Sequence, residues 1–185
     1  MTELSSYIYL LWIGNNKAEE ELLEQAKDYV ARVFGTLAKI KRVEMRSPNA
    51  FDPSRGQYSS TKILRWLLRD IPADAKKIIA ITDYDLYIPV LTFVFGEAQL
   101  GGKGAVVSTA RLSLDPNGLP SPALVVRARL LKECVHELGH TFGLSHCSSP
   151  GCVMSRSNTV IEVDSKSGEL CRDCRSLLKE HQKKE

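Results

Sequence analysis

Three of the four histidines in this 185-residue chain fall between positions 136 and 146, in the run HELGHTFGLSH. No other feature restricts the fold as much, because three imidazoles this close in sequence can share one ion only if the chain helps them converge. The spacing predicts a helix from about Ala123 to Phe142. On it, His136 and His140 stand four apart and project from one face, one turn from each other. Two neutral ring nitrogens so placed suit Zn²⁺ at about 2.0–2.1 Å. Gly143 can take positive φ, end the helix and turn the chain so that His146 returns as a third ligand. Three protein ligands leave one coordination position open, which distinguishes a catalytic zinc from a structural one. Glu137, beside the first ligand, is placed to take a proton from zinc-bound water, whose pKa the metal lowers to about 7. After attack on a carbonyl carbon the same carboxyl can pass that proton to the leaving amine. A bare HExxH is a common surface-helix pattern, but the longer HExxHxxGxxH is far more restrictive.

The same helix carries Leu124, Ala128, Leu131, Val135, Leu138 and Phe142 at intervals of three and four, which predicts one apolar stripe. Cys134 lies near that stripe and reads as a small buried residue.

The other four cysteines follow the histidines as Cys147, Cys152, Cys171 and Cys174, in the form C-x4-C and C-x2-C. Two close pairs separated by a loop can wrap tetrahedrally around a second, structural Zn²⁺. That site would carry a net charge of about −2, with Arg172, Arg175 and Lys179 near enough in sequence to soften it. Disulfides, a dithiol redox pair at Cys171 and Cys174, or free buried thiols are the alternatives. An odd cysteine count is a poor disulfide framework, and the paired spacing favours metal.

Composition excludes several classes. Apolar residues make up 43% and charged residues 25%, as in an ordinary globular protein rather than a disordered or fibrous one. The formal net charge of +3 is too small to indicate nucleic acid or an acidic membrane as partner, although the cysteine pairs and basic tail keep a zinc-ribbon nucleic-acid binder as a minor alternative. No apolar run approaches the roughly 20 residues that span a bilayer. The run from Tyr7 to Ile13 lacks a basic lead and reads as a strand, not a signal peptide. A cytoplasmic monomer is expected, as one domain over 1–185 with the sheet and active-site helix in 1–143 and the cysteine site in 144–185.

Upstream, residues 6–13 read as a strand ended by Gly14-Asn15-Asn16, and 17–34 as a helix stopped by Gly35. Residues 37–45 suggest a second, half-exposed strand, and 47–57 a loop. Ser59-Ser60-Thr61 can cap a short helix through Leu68. Lys76–Thr82 and Leu91–Phe95 read as buried strands, and Gly96, Gly101, Gly102 and Gly104 as a hairpin or bulge leading into Ala105–Ser108. Residues 115–122 are loop, Leu170–Glu180 a short helix, and His181 a solvated tail residue. Strands and helices alternate first and strands then cluster, so the expected class is α/β.

The run HELGHTFGLSHCSSPGCVM, continuing to CRDC, resembles the archaemetzincins among the metzincin metallopeptidases. GEAQLGG at 96–102 and Arg111-Leu112 resemble them more loosely. The resemblance implies a metzincin-like α+β fold with a twisted mixed sheet against helices, and a zinc-stabilised segment after the active-site helix. It implies zinc on His136, His140 and His146, Glu137 as general base, and Met154 as the Met-turn residue packed beneath the histidines. Two zinc ions per chain are expected, the cysteine-bound one held more firmly. Several other metzincins place a tyrosine two residues after that methionine; here Arg156 stands there, so the second oxyanion stabiliser is unassigned. An extended peptide or protein substrate would add to an edge strand, for which Gly104–Ser108 is the candidate. The alternative function is a zinc-stabilised binding or regulatory module with little turnover.

Overall fold

The apolar run at the N-terminus forms strand β1 (Tyr7–Ile13). In the computed structural model, which describes residues 6–14, 20–41 and 49–184, it is an inner strand. Helix α1 (Glu20–Phe34) follows and stops at Gly35, whose φ is 60°. Strand β2 is Ala38–Ile40. The expected helix before Glu20 and the expected strand beyond Lys41 lie outside the described residues. Phe51–Asp52 (β3) and Gln57–Ser59 (β4) pair antiparallel, so the segment expected as loop carries a short hairpin. Ser59 caps helix α2 (Ser60–Leu67), its hydroxyl accepting from Lys62 N. Next come β5 (Ala75–Thr82) and β6 (Leu86–Tyr87), then β7 (Gly96–Ala98) and β8 (Gly104–Ser108). The remaining helices are α3 (Ala123–Thr141), α4 (Val160–Ser165) and α5 (Arg172–Gln182).

The main sheet runs β2-β1-β5-β8-β7; β7 is antiparallel to β8, and the other pairs are parallel. Its inner strands are buried on both faces, as parallel strands covered by helices must be. Ile8, Leu10, Ile79, Ile81, Ala105 and Val107 face the core shared with α1, α3 and the C-terminal segment. The alternating Leu11, Ile13, Ile78, Ala80 and Val106 face the α2 side. The mixed sheet against helices is the expected fold class.

Three expectations fail here. Leu91–Phe95 is not a strand: only Val94 makes an isolated bridge, to Leu86, and the strand begins at Gly96. Gly104–Ser108 is not an edge, because β8 lies between β5 and β7 and is buried throughout. The edge is β7. The stripe on α3 is also shifted. Leu124 is 67% exposed and Ala128 is exposed, while Leu130, Cys134, Val135, Leu138 and Phe142 make the core. In the first half of α3 Arg129 is buried instead. It binds Asp164 at 2.7 and 2.7 Å and the carbonyls of Leu112 and Leu114 at 2.8 Å each. Those contacts dock α4, an element the sequence reading missed although Thr159 and Glu162 form a capping box in front of it.

The end of α3 is held where the last carbonyls need partners. His140 O accepts from Gly101 N at 2.8 Å, and Thr141 O from Lys77 Nζ at 2.9 Å. Phe142 O accepts from His181 Nδ1 at 2.8 Å. His181 is therefore a half-buried cap on the active-site helix, not a solvated tail residue. Gly143 adopts φ 87°, the left-handed turn required to leave the helix. Among the described residues, no helix is long and apolar enough to cross a membrane.

Candidate active site

The last turns of α3 and the turn at Gly143 bring His136, His140 and His146 together, with ligand atoms within 4.8 Å of one another. His136 Nδ1 lies 2.8 Å from Val153 O, and His140 Nδ1 lies 2.7 Å from Leu144 O. A carbonyl can only accept, so both Nδ1 atoms carry the proton and both Nε2 atoms present lone pairs. Those Nε2 atoms face each other at 3.2 Å. Two acceptors aimed at one point need a cation between or beside them, and a borderline divalent ion such as zinc suits imidazole nitrogen. Burial holds the His136 ring well below its ordinary pKa and lowers those of His140 and His146, keeping the imidazoles in the ligating form.

Met154 is fully buried beneath this group. A Cβ on Gly139, between the two helical histidines, would stand 2.4 Å from Met154 Sδ. Gly139 therefore makes room for the thioether under the helix, which is packing and not ligation.

Glu137 is 6% exposed and passes beneath β7. Burial, and then the charge of Glu133, push its carboxyl well above the usual range, while Lys166 pulls it back. Lys166 is 2% exposed and Glu133 3%, and their charged ends lie 2.9 Å apart, at an angle outside that of a hydrogen bond. Losing one member of such a buried pair costs about 3–5 kcal/mol, because the other charge is left uncompensated. The pair joins α3 to the chain after α4 and puts a fixed cation near all three histidines. Sequence reading missed both residues. Glu133 had a signal, since it stands one turn before Glu137 on the same helical face. Lys166 had none.

Gly96 was read as part of a glycine-rich turn, but its role is close approach. A Cβ there would lie 2.7 Å from Glu137 Cγ, 2.7 Å from Val106 O and 2.8 Å from Glu137 Oε1. Backbone cannot yield as a flexible side chain can, so Gly96→Ala should shift β7 and the carboxyl together. Misplacement of about 1 Å can cost about 100-fold. We expect kcat/KM to fall on that scale with zinc content unchanged; unaltered kinetics would mean that the Glu137 position under β7 is unimportant.

The histidines open into a cleft of about 380 Å³. One wall is the segment 88–96, including Ile88, Leu91, Phe93 and Phe95; the other is Arg156, Ser157 and Asn158. The first wall is anchored from behind. Arg55 Nη2 donates to Leu91 O at 2.9 Å, Gln57 Nε2 donates to Thr92 O at 3.0 Å, and the Arg111 guanidinium lies 4.9 Å from the Phe93 ring. Arg111 is held by Asp85 at 2.9 and 2.7 Å. A larger cavity of about 670 Å³ opens beside Trp12, Asp83 and Thr109, away from the histidines. Among the described residues it holds no metal-ligating cluster, whereas the smaller cleft holds the three histidines.

Cys147, Cys152, Cys171 and Cys174 also converge, with sulfurs within 4.8 Å of one another and all thiols free. A tetrahedron with Zn–S bonds of about 2.3 Å has edges of about 3.8 Å. The Cys147 and Cys171 sulfurs are 3.8 Å apart. Backbone N–H groups support the sulfurs: Ser149 N points at Cys147 Sγ (3.4 Å) and Cys171 N at Cys152 Sγ (3.3 Å). The Cys174 backbone N–H draws the Cys171 thiol down to about 7, toward the thiolate. Arg172, Arg175 and Lys179 are exposed, and Arg175 turns to Glu169 (3.5 Å) and Leu170 O (3.4 Å). The groups that point at these sulfurs are thus backbone N–H donors rather than those cations. Cys134 is fully buried, as expected, and apart from this group.

The chain is similar to known proteins over most of its length. Residues 16–180 match peptidase family M54. The chain is similar to the archaemetzincin of Methanocaldococcus jannaschii, with 39% identity over 87% of each chain. It is also similar to that of Methanopyrus kandleri, with 41% identity over 88% of this chain and 89% of the relative. The crystal structure of the Methanopyrus kandleri archaemetzincin superposes with a TM-score of 0.85 at 35% identity, covering 99% of this chain and 98% of that one.

Proposed function

Because the chain belongs to peptidase family M54 and is a zinc metallopeptidase, we propose that His136, His140 and His146 hold its catalytic zinc and that Glu137 is the general base. The observation that carries this reading is the pair of Nε2 lone pairs facing each other at 3.2 Å beside a buried carboxyl. Zinc, when bound, is a Lewis acid that polarises a carbonyl and acidifies water. Val153 O and Leu144 O orient the two helical imidazoles and set their tautomers, as outer partners of metal-ligating histidines do. Glu137 takes a proton from the attacking water and returns it to the departing amine nitrogen. Its burial suits the role, since a carboxyl with a raised pKa is a stronger base toward that proton than an exposed one.

The peptide substrate lies along β7, the end strand of the sheet, where main-chain hydrogen bonds extend the ladder over Glu137. The four cysteines hold a second zinc, which fixes the segment following His146, so the chain carries two ions.

The test is metal removal. Mild chelation should release about one zinc per chain and abolish hydrolysis of a broad peptide mixture, and added Zn²⁺ should restore it. The second zinc should remain, because four thiolates hold it more tightly than three imidazoles hold the first. Hydrolysis that survives in protein shown to be free of metal would refute the mechanism.

A further inference from the structure

Arg156 is exposed and is the one lysine or arginine among the described residues lining the cleft. Its guanidinium makes no hydrogen bond or ion pair with any of them. The two acidic groups in the same cleft are committed elsewhere, Glu133 to Lys166 and Glu137 to its place beneath β7. Arg156 lines the cleft together with His146, and the bond from Cys147 N to Met154 O ties the segment just before Arg156 to the residue that follows His146. The cation therefore stands on the His146 side of the site.

The backbone beneath Arg156 is held on both sides. Before it, Cys147 N donates to Met154 O and Ser155 N to Cys152 O, each at 2.9 Å. After it, Asn158 N and Thr159 N both donate to Glu162 Oε2, at 2.5 and 3.0 Å. A planar fork of donors on a held backbone, in a cleft also lined by Ile88, Leu91, Phe93 and Phe95, is suited to bidentate capture of a carboxylate.

We propose that Arg156 is a specificity residue that binds a carboxylate of the peptide substrate on the His146 side of the scissile bond. The inference rests on the peptidase reading given above. The carboxylate is either an acidic side chain or the free C-terminus of the peptide.

Short peptides made in matched sets separate the two sources: Asp or Glu against Asn or Gln, and free acid against C-terminal amide. Two readouts are needed, kcat/KM on the zinc-loaded enzyme and equilibrium binding to the Glu137→Gln protein in zinc-loaded and chelated forms. A charge-assisted hydrogen bond at a part-exposed site implies about a tenfold preference for the carboxylate member. That preference should vanish in Arg156→Ala, persist in part in Arg156→Lys and reverse in Arg156→Glu. Side-chain pairs and terminal pairs report independently, and either set showing this pattern supports the proposal. Equal binding of the acid and amide members in both sets by the protein that retains Arg156 overturns it, as does no binding of any member. A preference that survives Arg156→Ala, or a uniform loss of kcat on every substrate, also overturns it. If the peptidase reading alone is wrong, hydrolysis is absent while the binding preference and its dependence on Arg156 remain.

Discussion

Replacing Glu137 with Gln is expected to lower peptide hydrolysis by about 100- to 10,000-fold while leaving bound zinc unchanged. Gln keeps the volume that fills the space under Gly96, so β7 has no cause to move. It removes the group that accepts the proton. It also removes a charge that burial and Glu133 both disfavour. In the zinc-free forms the variant should therefore melt at or above the temperature of the unmodified protein. Rate, zinc content and melting temperature together discriminate the outcomes. A variant that loses activity and zinc in parallel would make Glu137 a structural support of the metal site, and one that retains full activity would remove it from the chemistry.

The second large effect concerns the cysteines. Cys174 is 5% exposed and stands on α5, whereas Cys147 directly follows His146. Cys174→Ser should leave three sulfurs, release the zinc proposed to bind there and free α5 from the turn. His181 would then leave the Phe142 carbonyl, and Gln182 the Phe34 carbonyl, exposing two helix ends that α5 now caps. Loss of a structural metal belongs among the severe mechanisms, at about 4–5 kcal/mol or more. Urea unfolding should show a loss on that scale and metal analysis one zinc fewer per chain. Hydrolysis should fall too, since the third imidazole hangs from the same segment. Retention of that zinc, or an unchanged unfolding midpoint, would show that the four sulfurs converge without needing an ion.

Both donor sets were legible in the chain because each is built from short-range geometry. An i, i+4 pair on a helix, a glycine that lets the backbone reverse, and cysteines two or four residues apart determine where ligand atoms can point with little help from distant residues. Short continuous apolar runs likewise marked β1, β5 and β8, since strands buried on both faces tolerate little else. Tertiary structure decided the rest. Whether Gly104–Ser108 or Gly96–Ala98 forms the edge depends on which strand pairs with β5, and local periodicity does not encode a long-range partner. The Glu133–Lys166 pair, the His181 cap and the unpaired state of Arg156 have the same origin. A charged side chain takes its role from what the fold brings against it, and its own neighbours in sequence carry no record of that contact.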